Sequence, residues 1–237
     1  ACLSLGVYEL SYKTGLRAQA IRNLVSENCS TLYKDCFDNV WVGHSSGGIS
    51  VQLANTVDFT EKSTSQKGEK ILALSGDGQH LFIGTDGEGL KIKTANSESV
   101  YTYETGIQGL PFDNVITSLY NDGTYMWIGT YSHGVYALSL QNGRLQFVKP
   151  LADCPAKNIA TIFSDSQGNV WIGTYENGVY VFNKDSKAII RHYTGYEDDG
   201  NLNISCNGTT WFTEDSTNSI WIGSYYGISK ISKEDLF

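Results

Sequence analysis

Trp127-Ile-Gly-Thr-Tyr-Ser-His-Gly-Val-Tyr136 and Trp171-Ile-Gly-Thr-Tyr-Glu-Asn-Gly-Val-Tyr180 differ at only two of ten positions. Shorter copies of the same phrase stand at Trp41-Val-Gly, Phe82-Ile-Gly and Trp221-Ile-Gly. The gaps between successive aromatics are 41, 45, 44 and 50 residues. Self-similarity at such a period marks a repeat architecture. Each copy runs on through a short polar loop and a glycine into alternating apolar residues.

The unit around Trp171 resolves into four short strands. Ile159 to Ser164 is mostly apolar and ends at the turn Asp165-Ser-Gln-Gly-Asn169. Val170 to Gly173 is the second strand and Gly178 to Phe182 alternates as a third. After the Asn183-Lys-Asp-Ser turn, Ile189 to Tyr193 forms a more polar fourth. That order predicts a sheet running from a buried first strand to an exposed fourth. Four antiparallel strands per period of about 40–45 residues is a propeller blade. Asp77-Gly, Asp86-Gly, Asn121-Asp-Gly and Asn142-Gly supply hairpin turns at the junctions. The aromatic of each second strand is read as blade-to-blade packing, and the glycine two residues on as a point of close approach.

Composition agrees with this all-β reading. Only 18% of the 237 residues are charged, while Gly (25) and Tyr (15) are abundant, as short strands and tight turns require. A hydrophobic content of 41% excludes a disordered chain. The net charge of −8 argues against a nucleic-acid partner, which calls for a basic stripe. No apolar run reaches membrane-spanning length, and the first twenty residues lack a signal-peptide layout. Any export is expected to be encoded outside this chain. Cys2, Cys29, Cys36, Cys154 and Cys206 are an odd number with no zinc spacing. Cys29 and Cys36 read as one strand on opposite faces, and all five are expected to act as small buried hydrophobes.

The repeats resemble the periplasmic two-component regulator propeller repeats of hybrid two-component sensor histidine kinases typical of gut Bacteroides. The resemblance runs from Gly6-Val-Tyr-Glu-Leu to Gly227-Ile-Ser-Lys-Ile, and Gly109-Leu-Pro-Phe-Asp-Asn-Val115 is similar to that family's blade-entry segment. The sequence departs from the pattern at Phe82, which stands for Trp, and at Gly43-His-Ser, which stands for Gly-Thr. The resemblance implies a ring of about seven blades in a parent that detects a glycan fragment in the periplasm. Such a parent signals through a membrane helix to a kinase, neither of which is in this sequence.

The strand tally gives a single propeller region with a partial blade at 1–22. Full blades follow at about 23–66, 67–108, 109–152 and 153–200, then an incomplete blade at 201–237. Gly6 to Tyr12 and Leu16 to Ile21 match a third and fourth strand, and the C-terminal piece also has a third strand. The two ends therefore do not complement each other, and a segment of a larger ring is expected. A five-bladed ring, with Leu16–Ile21 added to the last blade, is the alternative.

Up-down connectivity brings the loops between second and third strands to the same face as the blade-entry loops. That face is expected to carry His44, Asp86, Glu88, Tyr131, His133, Tyr175, Glu176, Asn177, Tyr225 and Tyr226. The entry loops add Pro111-Phe-Asp-Asn114, Ala152-Asp-Cys-Pro155 and Tyr196-Glu-Asp-Asp199. Aromatic rings beside carboxylate, amide and imidazole groups suit an oligosaccharide or other small ligand. The same tyrosines could instead only wedge neighbouring blades. No catalytic group, metal or cofactor is expected. Expected partners are the ligand and the remaining blades, membrane and kinase regions of the parent; homodimerisation stays open. A propeller glycoside hydrolase or lyase, with Asp86, Glu88, Glu176 and Asp113 as its acids, and a protein-binding scaffold are the rival readings.

Overall fold

The computed structural model describes residues 7–11, 17–20, 28–56, 59–62, 68–106, 112–139, 146–148, 154–186, 188–195, 204–232 and 234–236. The chain is an all-β propeller of five antiparallel blades, preceded by a two-stranded hairpin. It divides into two compact units: residues 1–106 with 114–116, and residues 107–113 with 117–237.

In the first unit, β1 (Tyr8–Ser11) and β2 (Arg17–Ala20) form the hairpin. Among the described residues β2 pairs with β1. The first blade holds β3 (Cys29–Lys34), β4 (Val40–His44), β5 (Ile49–Gln52) and β6 (Phe59–Lys62). The second holds β7 (Ile71–Gly76), β8 (Leu81–Thr85), β9 (Leu90–Lys93) and β10 (Glu98–Tyr101).

In the second unit the third blade is β11 (Ile116–Asn121), β12 (Tyr125–Thr130), β13 (Val135–Ser139) and β14 (Gln146–Val148). β15 (Ile159–Ser164), β16 (Asn169–Thr174), β17 (Val179–Asn183) and β18 (Ala188–Tyr193) form the fourth. The last has three strands, β19 (Thr209–Glu214), β20 (Ile220–Ser224) and β21 (Gly227–Ile231). The Asn142-Gly turn signal lies outside the described residues.

Burial within a blade departs from the expected gradient. In the fourth blade every residue of β16 is buried, whereas the first strand β15 is buried only at intervals. A second strand has hydrogen-bonded neighbours on both edges and a blade stacked on its face, while a first strand keeps one free edge. Trp171, on β16, is fully buried and shares a core cluster with Phe212, Ile220, Ile222 and Ile231 of the following blade. Trp127 does the same against Ile159, Ile162 and Ile172. Full burial of one such ring contributes about 1.5–3 kcal/mol. Trp221, on the last blade, has no following sheet among the described residues and is 37% exposed. Core packing therefore holds for Phe82, Trp127 and Trp171, and Trp221 departs from it.

The glycine after each aromatic is where the next blade presses in. A Cβ on Gly129 would sit 2.6 Å from Ile159 Cγ2, and one on Gly173 2.6 Å from Thr209 Cγ2. Gly43 meets Ile71 at 2.7 Å and Gly84 meets the Ile116 carbonyl at 2.8 Å in the same way. Each glycine opposes the first residues of the succeeding blade's first strand, and a side chain there would force the sheets apart.

A carboxylate fixes each indole. Asp35, Asp122, Asp165 and Asp215, in the turns before the second strands, accept the Nε1–H of Trp41, Trp127, Trp171 and Trp221 at 2.8–2.9 Å. In the second blade the aromatic is Phe82, which has no N–H. There His80 Nδ1 takes the indole's place, 2.8 Å from Asp77 Oδ2. Burial alone would raise the Asp122 carboxyl, but hydrogen bonds from Lys184, Trp127 and two backbone amides hold it below the usual range.

The cysteines depart from expectation at one point. Cys36 lies beyond the end of β3, in the turn, and is exposed, so it shares no strand with buried Cys29. The strand ends at Lys34 because Asp35 starts a side-chain-capped turn, its Oδ1 accepting from the Phe37 and Asn39 amides. Cys206 is buried and Cys154 partly so. Cys2 lies outside the described residues.

Candidate functional site

The loops between second and third strands are built by one device. The threonine ending the second strand donates to the glycine carbonyl four residues on: Thr85 to Gly89, Thr130 to Gly134 and Thr174 to Gly178, at 2.8–2.9 Å. Its oxygen also accepts the amide of the third loop residue, Glu88, His133 or Asn177. The closing glycines have φ of 76°, 79° and 74°, a region that L side chains avoid. On Gly89 or Gly178 a Cβ would also collide with the carbonyl of Tyr101 or Tyr193. Two side chains of the 86–88 loop and three of each of the 131–133 and 175–177 loops are thus held on a rigid base.

Each loop is then tied to the entry segments beside it. The Asn158 amide donates to the Tyr131 carbonyl at 2.8 Å, and the Tyr175 amide to the Asn158 carbonyl at 3.0 Å. Asn158 makes both bonds from a left-handed backbone, φ 52°. Gly178 donates to Asn207 O at 3.0 Å and Tyr225 to Gly208 O at 3.2 Å. In the first unit Gly87 and Gly89 both donate to Asn114 O at 2.9 Å.

These ties decide where the candidate residues go. Tyr131 and Tyr175 are brought together, ring centroids 6.2 Å apart and tilted by 53°. Tyr131 remains 48% exposed and Tyr175 half-buried. One edge of the Tyr225 ring occupies the space that a Cβ on Gly208 would need, and Tyr226 projects at 84% exposure. Glu176 and Asn177 are exposed beside Tyr175. His133 Nδ1 lies 3.3 Å from Asp113 Oδ2, an oxygen that also accepts the Ser132 amide at 2.6 Å. The buried Asp113 carboxylate thereby orients a partly exposed imidazole at the loop face. Wedging and exposure coexist at these tyrosines, whose backbones join blades while neither side chain is fully buried.

Asp86, Glu88 and His44 belong to the first unit. Asp86 is exposed and pairs with Lys70 at 3.3 Å, and Glu88 is half-buried. His44 is placed differently from expectation. It is fully buried, with Nε2 2.8 Å from Ser50 Oγ, because it occupies the inward position that Thr85, Thr130 and Thr174 fill elsewhere. A ligand on the loop face does not meet its imidazole. Pro111, Ala152, Asp153 and Tyr196 to Asp199 lie outside the described residues. Among the described residues no group of three or more His, Cys, Asp or Glu could hold a metal ion.

Sequence reasoning noted Asp113 but missed its partnership with His133, which joins residues twenty apart and is set by the entry loop's path. It also missed the Asp-to-indole bonds, although an aspartate five or six residues before Trp41, Trp127, Trp171 and Trp221 was there to be read.

Residues 155–176 match the family model of the two component regulator propeller. That span holds the fourth blade's entry, its first two strands and the loop residues Tyr175 and Glu176. A comparison with curated protein sequences gave no match. Among solved structures, the chain is similar to the extracellular domain of BT3049 from B. thetaiotaomicron, a protein assigned to the hybrid two component systems. The TM-score is 0.76 at 22% identity, over 97% of this chain and 31% of that one. The extracellular domain of BT4673 from the same organism, given the same assignment, matches at TM-score 0.63 and 18% identity, covering 87% and 26%. PorZ, a surface component of the type-IX secretion system of Porphyromonas gingivalis, matches at TM-score 0.72 and 13% identity, covering 97% and 36%. The chain therefore spans about a third of the length of these structures.

Proposed function

We propose that this chain is a non-catalytic ligand-sensing propeller segment, part of the extracytoplasmic, periplasmic portion of a hybrid two-component sensor histidine kinase. Its loop face recognises a glycan fragment. The observation that carries the reading is the Tyr131–Tyr175 pair, two rings in contact, one 48% exposed and the other half-buried, on loops that the backbone clamps leave little freedom to move. Sugar CH faces stack on such rings, and His133, Glu176 and Asn177 stand beside them to bond hydroxyls. Preorganised loops lower the entropic cost of binding. The propeller family match over residues 155–176 and the fold shared with extracellular domains of hybrid two-component systems support the sensor assignment.

In the parent, the ligand shifts signalling only by binding one arrangement of the propeller, or of a dimer, more tightly than another. The remaining blades, the membrane helix and the kinase are the partners this reading requires. Calorimetry of the chain against a panel of oligosaccharides tests it: heat with at least one glycan is expected, and none with any would overturn it. Chromatography of the same mixtures should show intact glycans; released products would make the chain a hydrolase or lyase instead.

A further inference from the structure

At the ends of the first two blades opposite their own second-to-third-strand loops, a cleft of about 260 Å³ opens between the turn after β3 and the turn after β7. Tyr33 and Trp41, directly opposite each other on β3 and β4, line one side. Phe37, at the tip of the turn, is 69% exposed and extends the same wall. His80 and Lys93 line the other side. The volume falls just below the roughly 300–1,000 Å³ of drug-sized sites, so the cleft suits one small, compact group.

Its charge is negative. Burial would raise the Asp35 carboxyl, but bonds from Trp41, Asn39 and Phe37 hold it below the usual range; Asp77 is lowered in the same sense by Gln79 and His80. Both are therefore ionised at neutral pH. Lys93 is compensated by Glu98 at 2.9 Å and Lys34 by Asp38 at 2.8 Å, while Asp77 is partnered by His80 Nδ1 at 2.8 Å, so the carboxylate left without a cationic partner among these is Asp35. Burial, followed by Asp35, Cys36 and Asp77, raises the Tyr33 phenol, which reports the same field.

Hydrogen-bonding capacity is largely spent. Asp35 already accepts from the amides of Phe37 and Asn39, from Asn39 Nδ2 and from Trp41 Nε1. A carboxylate has about four such sites, so none is left for a sugar hydroxyl. Aromatic faces in a negative field with few free acceptors favour a diffuse cation that needs no hydrogen bond.

We propose that this cleft binds a small organic cation with an apolar head, a quaternary ammonium or fully methylated amine, independently of the loop face. The test titrates the chain with choline and with its neutral carbon isostere dimethylbutanol, by calorimetry. Choline should bind at least about fivefold tighter, and Phe37→Ala should weaken choline by a similar factor without moving the unfolding midpoint. Tyr131→Ala and Tyr175→Ala should leave choline affinity unchanged. Absence of choline binding, equal affinity for the isostere, indifference to Phe37→Ala, or loss of binding in the loop tyrosine variants would each overturn the proposal. Because the probes differ, failure here leaves the glycan result standing, and the reverse.

Discussion

Replacing Gly173 by Ala adds one methyl group where the fourth blade meets the fifth. The new Cβ would lie 2.6 and 2.7 Å from Thr209 Cγ2 and Cβ and 3.0 Å from Thr161 Cγ2. Both neighbours are β-branched and stiff at χ1, so neither swings aside cheaply. Overpacking of this kind costs about 1–3 kcal/mol. The backbone at Gly173 is ordinary strand, so alanine also returns about 0.4–1 kcal/mol by restricting the unfolded chain. A net loss of about 1–2 kcal/mol remains for a site this tight. Gly223 is the control. It holds the equivalent position in the last blade, where the nearest atom to a new Cβ is Thr210 Oγ1 at 3.2 Å and the next is 3.6 Å away. Gly223→Ala should be neutral or mildly stabilising, so the two variants should differ by about 1–3 kcal/mol in urea unfolding. Equal stabilities would refute the claim that the glycine exists to admit the neighbouring blade.

Three further outcomes follow from the buried polar groups. Lys91 and Glu69 form an ion pair whose side chains are 3% and 1% exposed; Lys91→Met leaves the carboxylate uncompensated and should cost about 3–5 kcal/mol in chemical unfolding. His80→Ala removes the donor that stands in for an indole N–H and should cost about 1–2 kcal/mol, and adding Phe82→Trp should restore part of that loss; no recovery would contradict the substitution logic. Asp35, Asp77 and Asp122 have carboxyls below their unfolded values, so their contribution is complete above about pH 4 and is lost as pH falls through the lowered folded values. The urea midpoint should therefore drop steeply on acidification, and Asp122→Asn should flatten that slope.

The repeat was legible because its signal is stated five times. Strand limits around Trp171 follow from the pattern to within a residue or two, since Asp165 to Gly168 and Glu176 to Gly178 punctuate it with turn residues. Depth within the blade was less legible: β15 and β16 are both apolar, and only stacking decides which is covered on every side. His44 was misplaced because connectivity assigned everything after Gly43 to the loop, whereas His44 still belongs to the second strand and register turns that position inward whatever occupies it. Cys36 was misread because a capped turn at Asp35 interrupts what looks like one run. Tyr131 and Tyr175 stand at equivalent positions of the repeat, but their contact depends on Asn158, an unremarkable residue until its backbone bonds are seen. The cleft behind Phe37 had no sequence signal, because two turns about forty residues apart build it.

The central claim rests on the two loop tyrosines. Once a binding glycan is known from the panel, the double variant Tyr131→Ala/Tyr175→Ala should reduce its affinity by about tenfold or more, with the unfolding midpoint little changed because both rings are partly solvent-exposed. An affinity equal to that of the unaltered chain would contradict the account and leave these rings as blade joints alone.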